Sequence, residues 1–175
     1  MNKPWCFHEA RIILAATALW LCCGSVAFAG PRTTNAFMQE SFQQFDQKLD
    51  TGWRVLQVQG DYVGAANTML DYLSMHTATL KPWQKDSLAF HLGHVYALAG
   101  KRDEAIYWFR KSIAGHRMDN PAYVNGFIDF LQNDKPALLV DRSSIAAMHP
   151  SLARAGDLRE MDAMLEYFGE PFEAA

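Results

Sequence analysis

Leu88-Ala89-Phe90-His91-Leu92-Gly93-His94-Val95-Tyr96-Ala97-Leu98-Ala99-Gly100-Lys101-Arg102-Asp103-Glu104-Ala105-Ile106-Tyr107-Trp108-Phe109-Arg110-Lys111-Ser112-Ile113 is the stretch that decides the fold. Apolar residues recur at three- and four-residue spacings on both sides of Gly100, which reads as two amphipathic helices joined by a tight turn. Gly93 and Ala105 are small where two helices must approach closely. Tyr96, Trp108 and Phe109 supply large apolar area, on the order of 2 kcal/mol or more each when fully enclosed. A bulky residue at either small position is expected to break the pair by overpacking.

Toward the N-terminus, Phe37, Phe42, Phe45, Leu49, Trp53 and Leu56 recur at the period of one helical face. Gly60-Asp61 ends that segment and starts another, carrying Tyr62, Ala65, Ala66, Met69, Tyr72 and Leu73. Gly60, Ala65 and Met69 align with Gly100, Ala105 and Phe109 at an offset of 40, with Trp53 in the place of Gly93. Lys81-Pro82 opens the helix that runs to Ala99, since proline suits a first turn. Asn120-Pro121 opens a third unit through Tyr123, Phe127, Phe130 and Leu131. Its second helix, opening near Pro136, aligns Ala137, Arg142, Ser144 and Ile145 with Ala105, Arg110, Ser112 and Ile113 at an offset of 32. Asp141 then falls where Phe109 sits, which weakens this unit. Beyond His149-Pro150, Asp157 with Glu160 reads as a capping box, and Leu158, Met161, Leu165 and Phe168 form the stripe of a final helix. No strand-period alternation competes, so the fold class is all-α.

The quoted stretch, with Leu92-Gly93, Tyr96, Gly100, Ala105, Phe109 and Ser112 in register, resembles a tetratricopeptide repeat. The resemblance implies a short right-handed α-solenoid of about three helix pairs plus a C-terminal capping helix over residues 36–175, because a stacked array otherwise leaves one apolar side open. It also implies non-catalytic binding of another protein, with the first helix of each pair lining a concave groove. Ser87, Phe90, His94, Ala97 and Leu98 would line it, an apolar surface suited to a partner's peptide or helix. Alternatively, Phe90 and Leu98 simply pack against the neighbouring repeat. The Lys/Asn/Arg set by which some cytosolic members clamp a C-terminal carboxylate is not recognisable, position 94 being His. A groove-lining His94 would tune binding between pH 5 and 7.

The N-terminus places Lys3 and Arg11 before an apolar run, then Gly24-Ser25 and Ala27-Phe28-Ala29. That order predicts a signal peptide over residues 1–29, cleaved after Ala29, followed by a polar, disordered lead over 30–35. The rivals are an uncleaved inner-membrane anchor, since Ile12 to Ala29 is 18 residues long, and lipidation at Cys22 or Cys23. Cys6, Cys22 and Cys23 all precede the expected cleavage point, so the 146 residues from 30 to 175 carry no thiol and no disulfide framework. Removing Lys3, Arg11 and Glu9 takes the 16 basic and 19 acidic residues to 14 and 18, a net of −4. A mildly acidic domain without a Lys/Arg-dense face is a poor fit for nucleic acid, and membrane contact is expected only through an uncleaved or lipidated N-terminus.

Chemistry finds little support in the motifs. His91 and His94 are three apart, but a zinc site needs three or four ligands, and Asp86 and Asp103 offer themselves only weakly. Asp103-Glu104 suit a helix start. Ser143-Ser144 lacks a nucleophile elbow, and no Gly-rich phosphate loop is present. No cofactor, metal or catalytic residue is therefore expected. The aromatic tail Tyr167-Phe168-Gly169-Glu170-Pro171-Phe172 either tucks back onto the array or docks elsewhere. The composite expectation is a periplasmic scaffold or assembly factor of the bacterial cell envelope or a secretion system. The alternatives are a periplasmic immunity or inhibitor protein neutralising a toxin, and a metal-dependent enzyme using His91 and His94.

Overall fold

Helix-start chemistry recurs along the chain at the places where the apolar periodicity restarts. The structure, a computed structural model, describes residues 34–115 and 120–174. The expected signal peptide lies outside the described residues. Nine α-helices and a closing 3₁₀ turn make up the described part, with no strand among these residues: α1 (Thr34–Phe37), α2 (Phe42–Gln47), α3 (Arg54–Val58), α4 (Tyr62–Met75), α5 (Pro82–Leu98), α6 (Arg102–Ile113), α7 (Pro121–Gln132), α8 (Lys135–Ala146), α9 (Leu152–Glu166) and the 3₁₀ turn Phe172–Ala174. The all-α expectation holds.

Ser41 and Gln44 cap α2 reciprocally, the Gln44 Oε1 accepting from Ser41 N at 3.1 Å. Asp61 accepts from Gly64 N at 2.8 Å and Asp134 from Ala137 N at 3.1 Å, so α4 and α8 begin alike. Pro82 and Pro121 occupy the first turns of α5 and α7. Helix α6 carries Asp103 and Glu104 in its first turn and Arg110 and Lys111 in its last, matching the helix dipole at both ends.

Three turns are built on one plan. Asp61 N donates to Leu56 O at 2.9 Å, Lys101 N to Tyr96 O at 2.8 Å and Asp134 N to Asp129 O at 2.8 Å. In each, the preceding residue takes a left-handed backbone: Gly60 at φ 78°, Gly100 at φ 68° and Asn133 at φ 61°. This is a Schellman stop followed at once by a new helix, and it joins α3 to α4, α5 to α6 and α7 to α8. The contacts between helices run mainly between chain neighbours from α3 to α9, with α7 also meeting α9.

Two turns spaced by 33 residues, at Gly100 and Asn133, move the third pair one position from the alignment at 32. At the corrected register Leu138 takes the place of Ala105 and Ile145 that of Ser112, all four buried, whereas Ser144 is exposed. Gly126 then matches Gly93. Asp129 and Asp141 replace Tyr96 and Trp108, and burial together with its hydrogen bond to Asp129 pushes the Asp141 carboxyl up to about 7.

Two expectations fail locally. The face running from Phe37 to Leu56 is not one helix but three short ones, and Leu49 is 75% exposed. The chain leaves α2 through extended Lys48 and turns at Gly52, φ 57°, where a Cβ would stand 2.1 Å from Phe45 O. Thr51 Oγ1 closes this turn on Gln44 O. The capping box at Asp157 is also replaced. Helix α9 starts six residues earlier, with Ser151 Oγ accepting from Arg154 N at 3.1 Å, and the two acids instead meet Asn120, which caps α7, and Tyr123 of α7.

The core has two parts. Phe37, Phe42, Phe45, Trp53, Met69, Tyr72, Leu88 and Leu92 are among the residues that bury the N-terminal helices against α4 and α5. Ala105, Phe109, Val124, Phe127, Phe130, Leu138, Ile145 and Met161 join α6 to α9. Helix α5 contributes to both, which makes it the central element.

Candidate functional site

Helix periodicity divides the chemistry of α5 between two faces. Ser87 and His91 are four apart and meet the N-terminal segment, while Phe90, His94 and Ala97 turn toward α7.

On the first face stands Asp46, fully buried at 0% exposure. Its Oδ1 accepts from His91 Nδ1 at 2.7 Å and Trp53 Nε1 at 3.2 Å, and its Oδ2 from Ser87 Oγ at 3.0 Å and Gln47 Nε2 at 2.5 Å. Its backbone carbonyl accepts from Arg54 Nε at 3.0 Å. Burial pushes the carboxyl up, but the hydrogen bonds and charge of His91, with Ser87 and Gln47, outweigh it and hold Asp46 below its ordinary value. Serine, histidine and aspartate meet here without a relay, for Ser87 and His91 both bond to the carboxylate. Nucleophile activation needs the histidine on the serine. The arrangement is a buried hub that fastens α2 and α3 to α5.

On the second face, Phe90 lies 5.6 Å from Phe109, 5.8 Å from Tyr123 and 5.7 Å from Phe127, ring centre to ring centre. His94 stands 5.7 Å from Phe127 and 5.3 Å from Phe172 of the C-terminal tail. Phe172 also meets Phe127 and Phe130, each at 5.9 Å. The cleft between α5 and α7 is thus covered at its His94–Ala97 end by the chain's own tail. At the other end a cavity of about 630 Å³ stays open, lined by residues that include Trp83, Ser87, Phe90, Tyr123, Arg154 and Asp157. Trp83, edge-on to Phe42 at 5.3 Å, is 51% exposed at its rim.

A polar seam forms the far wall. Asp157 Oδ2 accepts from Asn120 Nδ2 at 2.8 Å and Arg154 Nη1 at 3.2 Å, and Tyr123 O–H donates to Glu160. Burial and the Glu160 carboxylate push the Tyr123 hydroxyl well up, so it stays a donor. Asn120 Oδ1 is buried with no hydrogen-bond partner among the described residues.

The five expected groove residues therefore separate. Phe90, His94 and Ala97 share the α5–α7 cleft, with Ala97 buried and Phe90 packed on α6 and α7, as the alternative to groove lining had it. Ser87 lines the open cavity and spends its hydroxyl on Asp46. Leu98 is half-buried and lines neither this cavity nor the one beside the tail. Among the described residues no group of three or more His, Cys, Asp or Glu side chains is arranged to hold a metal ion. Asp46, Trp83, Asn120 and the Arg154–Asp157 pair were not foreseen; the signal for Asp46 was a carboxylate next to Phe45 in an apolar stripe. No helix of the described residues is long and apolar enough to cross a membrane. Compared with protein-family models, curated proteins and solved structures, the chain matches none.

The expected pH tuning by His94 between pH 5 and 7 is overturned. Burial, with repulsion from His91 and Arg54, lowers its pKa to about 4, so the ring is neutral through that range. In the unfolded chain it takes a proton near pH 6.5, and the folded chain refuses one until about pH 4. The His94 contribution is therefore flat above pH 7 and falls as pH drops from 6.5 to 4, by on the order of 3 kcal/mol, while Asp141, its carboxyl held up to about 7, contributes in the opposite sense as pH falls from 7 toward 3.8. Asp46 adds a loss only below its ordinary range near 3.8. Urea titrations of the parent and His94→Gln between pH 8 and pH 4 are expected to diverge below pH 6.5, the variant gaining stability relative to the parent as pH falls; a difference that stays constant over that range excludes the His94 contribution.

Proposed function

We propose that the chain is a tetratricopeptide-like helical repeat protein whose α5–α7 groove holds a segment of another protein, serving as an exported, non-catalytic scaffold or assembly factor of the bacterial cell envelope or a secretion system. The observation that carries this reading is the open end of the groove, where an apolar floor of Phe90 and Tyr123 is rimmed by exposed Trp83 and the Arg154–Asp157 pair. An apolar floor with a polar rim is what peptide-binding grooves offer. Three turns built on one plan and contacts restricted mainly to chain neighbours support the repeat reading. Export rests on the leader pattern over residues 1–29, and the periplasm is the compartment it implies.

The test replaces Trp83 or Ala153, both lining the open end, with a photo-crosslinking phenylalanine in the cells that make the protein. Exposed Val58 of α3 serves as control. One discrete adduct, common to both groove positions and missing at Val58, is the expected result, and mass spectrometry names the partner. Identical adducts at all three positions, or none at any, overturn the groove reading. Phe90→Ala is a poor probe by comparison, since that ring packs against three others.

A further inference from the structure

The tail beyond α9 is exposed at Gly169, Glu170, Pro171, Glu173 and Ala174, and Phe172 alone among them is partly enclosed. Its ring fills the space between His94, Phe127 and Phe130. The tail's own hydrogen bonds, Glu170 N to Tyr167 O at 3.0 Å and Ala174 N to Pro171 O at 2.9 Å, stay within the tail. Among the described residues no hydrogen bond or ion pair joins residues 169–174 to the groove wall. Beside the ring remains a cavity of about 450 Å³ whose lining includes Arg102, Glu170 and Glu173. Of the charged residues opening α6, Glu104 is engaged by Lys101 at 3.8 Å, and Arg102 alone reaches this cavity. Gly169, at φ 95°, supplies the turn by which the tail folds back from α9.

We propose that residues 169–174 are a built-in ligand of the α5–α7 groove, and that the partner segment which displaces them carries an aromatic side chain flanked by carboxylates. This rests on the groove-binding reading and names both its regulation and its ligand class. The aromatic ring goes where Phe172 sits, and a carboxylate meets Arg102 across the cavity that the tail leaves unfilled. A single ring holds the tail, yet tethering gives it a millimolar effective concentration. A free segment therefore competes only when it makes more of the Arg102 contact or when the tail is pulled away.

The experiment titrates a fluorescein-labelled peptide of residues 167–174 with the full chain and with its Phe172→Ala variant, read by anisotropy. Melting curves first establish that the variant is folded. A second loosened chain, ending at Phe168, removes the ring with the rest of the tail and covers the case in which Phe172→Ala misfolds. Binding to either loosened chain at least tenfold tighter than to the parent is expected. A peptide bearing Phe172→Ala should lose that binding, and Arg102→Glu in the loosened chain should weaken it, the new carboxylate repelling Glu170 and Glu173 of the peptide in the shared cavity. Equal binding to parent and loosened chains, or binding to neither, overturns the proposal. The crosslinking at Trp83 is read independently: an adduct there with no tail-peptide binding removes this inference and leaves the groove reading standing.

Discussion

Replacing Asp46 by alanine is expected to cost about 2 to 4 kcal/mol of stability, the order expected when a buried acceptor is removed from several hydrogen bonds at once and a buried donor is left unpaired. The carboxylate is wholly enclosed and accepts from four side chains at once, those of His91, Trp53, Ser87 and Gln47. Alanine leaves the buried Trp53 N–H with nothing to receive it and takes the acceptor from half-buried His91 and Ser87. Asp46→Asn keeps an acceptor for His91 and should cost less, about 1 to 3 kcal/mol, in line with a lost charge-assisted bond. The location of the damage is as diagnostic as its size. Phe45, next in sequence, stacks on Tyr72 of α4 at 3.8 Å, so loosening the hub frees α2 from both α4 and α5. Hydrogen exchange should show protection lost first across residues 42–56, before α6 to α9. A variant that melts like the parent, or loses protection uniformly, would remove Asp46 from its role as the fastener of the N-terminal segment.

The all-helical character was legible because it is written in local terms that packing does not override. Gly60 and Gly100 stand where only a left-handed backbone ends one helix and starts the next, and both were read correctly as turns. The third turn hid because Asn133 does the same job with a side chain, asparagine being among the few residues that tolerate that region. Missing it displaced the third unit's alignment by one position and set Ser144 against Ser112, which the structure buries while it exposes Ser144. The N-terminal stretch misled for a different reason. Phe42, Phe45 and Trp53 are indeed core residues, but a stripe at spacings of three to five is also what a chain produces when it doubles back between short helices.

The groove was only half legible. Periodicity places Phe90, His94 and Ala97 on one face of α5, and they do share the cleft. What periodicity omits is the opposing element. The tail over His94, the Tyr123–Glu160 bond and the Asn120–Asp157 contact join residues at least 37 apart in sequence, and no spacing rule reports such pairs. His94 illustrates the consequence: as a groove residue it suggests a pH sensor, and enclosed among Phe90, Phe127 and Phe172 it is a neutral ring.

The two helix-face glycines offer the sharpest check on the packing. A Cβ built on Gly93 falls 2.5 Å from Phe109 Cδ1 and 2.7 Å from its Cε1 and Cγ. That ring has no room to yield, being fully buried, stacked on Phe127 at 5.2 Å and met by Phe90 at 5.6 Å. Gly93→Ala gains about 1 kcal/mol of helix propensity but meets an overpacking cost of about 1 to 3 kcal/mol, so a net loss is expected. Gly93→Val adds two methyl groups against the same ring and is expected to abolish cooperative unfolding. At Gly126 the nearest atoms are Met161 Cε at 2.3 Å and Sδ at 2.5 Å, the far end of a flexible side chain, with Leu138 Cδ1 at 3.3 Å. Methionine swings aside at little cost, so Gly126→Ala should be neutral or should raise stability by up to about 1 kcal/mol, some 2 to 4 °C in Tm. Thermal melts of the two alanine variants side by side decide the matter. A fall for Gly93 with no fall for Gly126 is the expected pattern, and it places the rigid seam of the fold at the α5–α6 pair. Equal effects at both positions would mean that the Phe109 ring is no stiffer than the Met161 thioether, and that the α5–α6 approach is looser than its geometry implies.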